Sequence, residues 1–195
     1  MNYLAHIYFS GEKLPRQLGG FIADAVKGKS YTRYKPEIAA GIVIHRAIDH
    51  FVDTHPLIIR QLKHMRPVTG KYTPVVLDIF LDHILASGFK TYTGKSLSLF
   101  AYRFYIYAIF NYTRLPGRFK RFVWHFVISD RLSKYKTESG IRESLEIMQH
   151  YRGLDVDIDQ AMLYLSRNKK ELTTLFESLY PELTEFTKPK HLAHK

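Results

Sequence analysis

Cysteine is absent from all 195 residues. Neither a disulfide framework nor a thiolate metal site can be built, so a metal held by this chain must sit on histidine nitrogen and carboxylate oxygen. That composition suits a reducing cytosol. Long apolar runs are missing too: the richest window, FAYRFYIYAIFNY, is broken by Arg103 and falls well short of the ~20 residues a bilayer requires. The stretch MNYLAHIYFSGEKLPRQ has no basic region ahead of an apolar core, as a secretory leader would. The expectation is a soluble, cytoplasmic protein with no membrane contact.

Acid is scarce, with 18 Asp and Glu against 29 Lys and Arg, a formal net charge of +11. The excess gathers between Arg103 and Lys136, where eight basic residues meet a single acid, Asp130. Such a field attracts polyanions, whether nucleic acid, an anionic membrane or an acidic protein. No zinc-finger spacing, RNP-like sequence or Lys/Arg-dense run favours nucleic acid. Linkers, repeats and low-complexity tracts are also lacking, so residues 1–195 read as one domain.

What is present is a helical grammar. PRQLGGFIADAVK, residues 15–27, reads as a short helix closed by Gly28; PEIAAGIVIHRAIDHFVD, residues 36–53, opens on proline and glutamate and stops at Pro56. TPVVLDIFLDHILASGF places Thr73 as N-cap, Pro74 at the first helical position and Gly88 near the stop. Aromatic-rich helices are expected over 95–112 and 116–130, another over TESGIRESLEIMQHYR, and one or two more up to Phe186, interrupted at Pro181. Few segments alternate at period two, which makes the fold all-α, a helical bundle.

Two stretches carry candidate chemistry. In GIVIHRAIDHFVDTHP, residues 41–56, His45, Arg46, Asp49, His50 and Asp53 share one arc of the helix, opposite Ile44, Ile48, Phe51 and Val52. That arc either faces water or walls a metal site, and the stretch alone leaves both open. The helix from Pro74 to Ser87 is apolar on every side, the pattern of a buried helix, yet it carries Asp78, Asp82 and His83. Buried unpaired carboxylates cost several kcal/mol each, so Asp78 and Asp82, stacked one turn apart, need a cation, arginine or metal. With His6 in NYLAH and Asp24 in GGFIADAVKG, the candidate set is His6, Asp24, His45, Asp49, Asp82 and His83. Its oxygen and imidazole donors suit Mn²⁺, Mg²⁺ or Fe. Hydrolysis of a phosphate ester is the chemistry most natural to such donors, with Arg46 placed to hold a non-bridging oxygen.

MNYLAH, GGFIADAVKG, GIVIHRAIDHFVDTHP, LDIFLDHILAS and FESLYPEL together resemble, in order and spacing, the acyl carrier protein phosphodiesterase family, a bacterial relative of the HD-domain phosphohydrolases. The resemblance implies an all-helical, HD-like metal site that frees 4'-phosphopantetheine from holo acyl carrier protein, with Mn²⁺ or Mg²⁺ as cofactor. It implies that Asp24, then His45, Arg46 and Asp49, then Asp78, Asp82 and His83 belong to that site, with His6 joining from NYLAH. Asp78 is expected to orient a ligand histidine. Acyl carrier proteins are acidic, which gives the basic stretch a partner, with Arg114, Arg118, Lys120 and Arg121 as its contacts. Two other functions stay open: an HD-type phosphohydrolase of a small nucleotide or phosphorylated metabolite, and a non-enzymatic basic helical module binding an acidic protein or RNA.

Overall fold

Pro56 both ends one helix and begins the next. It stops α3 (Pro36–Thr54) and stands at the first position of α4 (Pro56–Thr69), where its missing N–H has no role to fill. The computed structural model describes residues 1–188, apart from the side chains of Arg118 and Arg152. Among these residues it contains eleven α-helices and no strand, as the periodicity predicts. The others are α1 (Tyr3–Phe9), α2 (Leu14–Ile22), α5 (Thr73–Ser87), α6 (Phe89–Thr93), α7 (Leu97–Phe110), α8 (Gly117–Ile128), α9 (Arg131–Lys134), α10 (Glu138–Arg152) and α11 (Ile158–Phe186).

Helix α5 is central. Val76, Leu77, Ile79, Phe80, Leu81, Ile84 and Leu85 are all buried, each worth roughly 1.5–3 kcal/mol relative to exposure. It contacts α1, α4, α10 and α11, which accounts for its lack of a polar face. Helix α11 runs through Pro181; its one non-helical residue is Asn168, with φ −108° and ψ 15°. The interruption expected at Pro181 is therefore displaced to Asn168, whose side-chain amide donates to the Tyr164 carbonyl at 2.9 Å.

The closest helix crossing is α2 on α3, and glycine makes it possible. A methyl group on Gly41 would stand 2.0 Å from the Arg16 carbonyl oxygen, and one on Gly19 would stand 2.1 Å from that of Ile38. Neither fits, so the two backbones touch. Lys13 and Arg16 close this crossing at the surface by pairing with Glu37. Gly20 meets α1 in the same way, since its β-carbon would lie 2.1 Å from Ser10 Oγ and 2.8 Å from the His6 carbonyl oxygen. Three glycines thus draw α1, α2 and α3 into contact around one point. No helix among the described residues is long and apolar enough to cross a membrane.

Candidate metal centre

At that point lie His6 from α1 and His45 from α3, both buried. Their rings stack with centroids 3.6 Å apart and planes 17° from parallel. Both turn Nε2 toward Asp49, one turn beyond His45 on α3: His6 Nε2 is 3.1 Å from Oδ1 and His45 Nε2 is 3.2 Å from Oδ2. Asp24, from the 3-10 turn that follows α2, brings its Oδ1 to 3.3 Å from His45 Nε2. Two carboxylates therefore converge on one nitrogen.

The other nitrogen of His45 fixes what that means. Nδ1 lies 2.7 Å from the Gly20 carbonyl oxygen, which can only accept, so Nδ1 carries a proton. Nε2 is then either the second N–H of an imidazolium or the lone pair of a neutral ring with a cation between it and the carboxylates. Proton and metal compete for a single atom. Burial disfavours the imidazolium, but hydrogen bonds to Asp24 and Asp49 outweigh it and push the pKa of His45 up to about 9. Burial lowers His6 to about 4, against the pull of its hydrogen bond to Asp49. Burial works against the Asp49 carboxylate as well, yet the two imidazoles hold its pKa well below the usual range. A hydrogen bond from His45 likewise lowers Asp24.

This set fits a divalent ion. One donor atom from each of His6, His45 and Asp49 lies within 4.8 Å of the others. Ligand atoms about 2.1 Å from an ion stand about 3 Å apart along a coordination edge, which is the spacing of these nitrogens and oxygens. The buried imidazoles form the floor, while Asp49 and Asp24, with side chains 41% and 58% exposed, leave the outer side open to a substrate.

The family model described as acyl carrier protein phosphodiesterase matches residues 1–183. The chain belongs to the acyl carrier protein phosphodiesterase family. Relatives carrying that description include one from Yersinia pestis, 25% identical over 98% of this chain and 100% of its own length. One from Serratia proteamaculans is 27% identical over 98% of this chain and 100% of its own. One from Salmonella dublin is 32% identical over 94% of this chain and 95% of its own. No solved structure matches the chain.

In this acyl carrier protein phosphodiesterase family member the second half of the expected site, on α5, does different work. Asp82 is fully buried and accepts from the backbone N–H groups of Leu4, at 2.7 Å, and Ala5, at 3.2 Å. It caps the first turn of α1, where free N–H groups and the helix dipole favour an anion. Burial still lifts its carboxyl pKa to about 7, against those two amides. Asp78 lies 3.0 Å from the amine of Met1. His83, one residue and about 100° further round the helix, sits with Nδ1 2.8 Å from the Tyr135 carbonyl oxygen. Asp82 and His83, expected as ligands, are not in the group of donors that His6, His45 and Asp49 form. Both oxygens of Asp82 are engaged by α1, and His83 faces the segment before α10. The cation these acids require is replaced by helix amides for Asp82 and by an ammonium for Asp78. Asp78 and Asp82 act on the donor set at one remove, by gripping the segment that carries His6.

Arg46, expected to hold a phosphoryl oxygen, is engaged by backbone and ring. Its guanidinium donates to the carbonyl oxygens of Val26, at 2.6 Å, and Gly28, at 2.8 Å, and lies over the Tyr31 ring. It ties to α3 the loop that follows Asp24. Among the expected carrier contacts, Arg114 donates to Asn111, Lys120 Nζ lies 5.3 Å above the Tyr112 ring, and Arg121 is exposed. The Arg118 side chain lies outside the described residues. Sequence reasoning missed Gly20, whose carbonyl orients His45, and the Gly19–Gly41 contact. The signal was there, in paired glycines inside a helical run that needed none as a stop.

Proposed function

We infer that this chain hydrolyses the phosphodiester between the serine of an acyl carrier protein and 4'-phosphopantetheine, releasing apo carrier protein, and that it does so with Mn²⁺ or Mg²⁺, or iron, held by His6, Asp24, His45 and Asp49. The observation that carries the reading is the convergence of two carboxylates on His45 Nε2 in a chain of this family.

A bound divalent ion would supply an activated water and neutralise charge on the phosphoryl oxygens. The rest is done by the chain's own groups. Gly20 holds the His45 ring in one tautomer, and Asp82 holds the first turn of α1, and with it His6. Asp24 is the most exposed of the four donors. It is assigned to take the proton of the attacking water as the bond from phosphorus to the serine oxygen breaks. The water oxygen bonds to phosphorus, the serine oxygen leaves with the proton that Asp24 took, and the phosphate stays on the pantetheine. Arg114, Lys120 and Arg121 are assigned to the acidic carrier, with Arg118 beside them in sequence.

The test is the mass of holo acyl carrier protein after incubation with the protein and Mn²⁺, next to a sample in chelator. Loss of the phosphopantetheine mass only with metal is the expected result. An unchanged mass in both overturns the substrate.

A further inference from the structure

A cavity of about 540 Å³ opens between α8 and α10, and none of the metal-centre donors lines it. Its walls are largely rings and aliphatic chains, including Phe122, Phe126, Ile147 and Met148, with Tyr3 of α1 at one end. A buried cation, Arg131, lines it as well, 5% exposed and fixed by Glu143 at 3.1 Å and Ser144 at 3.3 Å. An apolar hollow of this size with a few fixed polar groups is the usual form of a small-molecule site.

The cavity shares its foundations with the metal centre. Tyr3 precedes His6 by three residues on α1, about 4.5 Å of helix rise, and packs on Phe21 with centroids 5.5 Å apart. Phe21 follows Gly20, the partner of His45, and packs at a tilt against Phe126, with centroids 4.8 Å apart. Tyr135, also in the wall, receives His83 through its carbonyl. Tyr3 thus belongs both to the cavity wall and to the helix that carries His6.

On the reading given under Proposed function, the substrate carries a pantetheine arm. The arm alternates amides with methylenes and a dimethyl branch, so it needs apolar walls and a few fixed hydrogen-bond groups together. We propose that the α8–α10 cavity is the seat of the pantetheine arm of the substrate, with Phe122, Phe126 and Met148 on its hydrocarbon and Arg131 donating to an amide carbonyl. This seat would select against phosphodiesters that lack the arm.

The experiment measures binding of free pantetheine by calorimetry, which needs no turnover, to wild type and to Met148→Trp and Ile147→Trp, each of which fills the cavity. The rise in melting temperature on adding Mn²⁺ confirms in each variant that fold and metal centre stand. Pantetheine is expected to bind wild type and to bind both variants about tenfold or more weakly, with KM for holo carrier protein rising in step. No binding to wild type, or equal binding to both variants, overturns the proposal. So does a KM increase confined to carrier protein bearing a fatty acyl group, which would make the cavity an acyl seat. If wild type binds pantetheine yet leaves holo carrier protein intact, the hydrolytic reading fails and the cavity assignment stands.

Discussion

His45 Nδ1 lies 2.7 Å from the carbonyl oxygen of Gly20, on a helix that α3 can approach only because Gly19 and Gly41 have no side chains. The aim of a candidate ligand is thereby set by a backbone contact one helix away. Gly41→Ala places a methyl 2.0 Å from the Arg16 carbonyl oxygen, so α2 and α3 must part. The expected result is a loss of about 1–3 kcal/mol of stability in urea denaturation, with weaker Mn²⁺ binding although every donor is still present. Unchanged Mn²⁺ affinity would show that the crossing does not aim His45.

Protonation of His45 gives a second test. Its folded pKa, raised to about 9, lies above the unfolded value of about 6.5. The ion pair therefore contributes fully below pH 6.5 and is lost as pH rises through 9, a change of about 3 kcal/mol in the metal-free protein. In chelator the melting temperature should fall between pH 7 and 9. Mn²⁺ must displace the same proton, so its affinity should rise over that interval, with proton release measurable by calorimetry in two buffers. A flat affinity profile would remove His45 Nε2 from the ligand set.

Asp82 caps a helix, so its removal should act at a distance. Asp82→Ala leaves the N–H groups of Leu4 and Ala5 without their acceptor, at a cost of about 1–2 kcal/mol in stability. Mn²⁺ affinity should weaken by less than it does in His6→Ala or Asp49→Ala. An Asp82→Ala protein with normal stability but no metal binding would restore Asp82 as a ligand.

Lys120 tests the carrier surface. A basic contact on an acidic protein accelerates encounter and is screened by salt. Lys120→Glu should lower kcat/KM for holo carrier protein several-fold at low ionic strength and flatten its salt dependence. Identical salt profiles for variant and wild type would place the docking surface elsewhere.

The sequence makes the long helices legible because proline and glycine mark their ends and α5 has no polar face to expose. It also names His6, Asp24, His45 and Asp49 as candidates, since imidazole and carboxylate stand out against apolar neighbours, and the spacing of His45 and Asp49 on α3 follows from helix geometry. Helix α1 is not readable in this way, because its seven residues hold too few turns to show a period. Without α1, the partner of Asp82 is invisible: the sequence states that a buried acid needs compensation, but backbone amides have no letter of their own. The same blindness hides the partners of Arg46, the carbonyls of Val26 and Gly28. Pro181 misleads in the opposite direction, since the break in α11 falls at Asn168.

The grip of α5 on α1 also orders events in time. All four donors lie within the first 49 residues, whereas Asp78 and Asp82 follow some thirty residues later. A chain growing on the ribosome thus exposes its imidazoles and carboxylates before it possesses the helix that anchors the first of them. Early capture of a passing ion by the nascent segment is disfavoured, because His6 is not yet held beside His45. Vectorial synthesis supplies the donors and the α2–α3 crossing first and the anchor of His6 last.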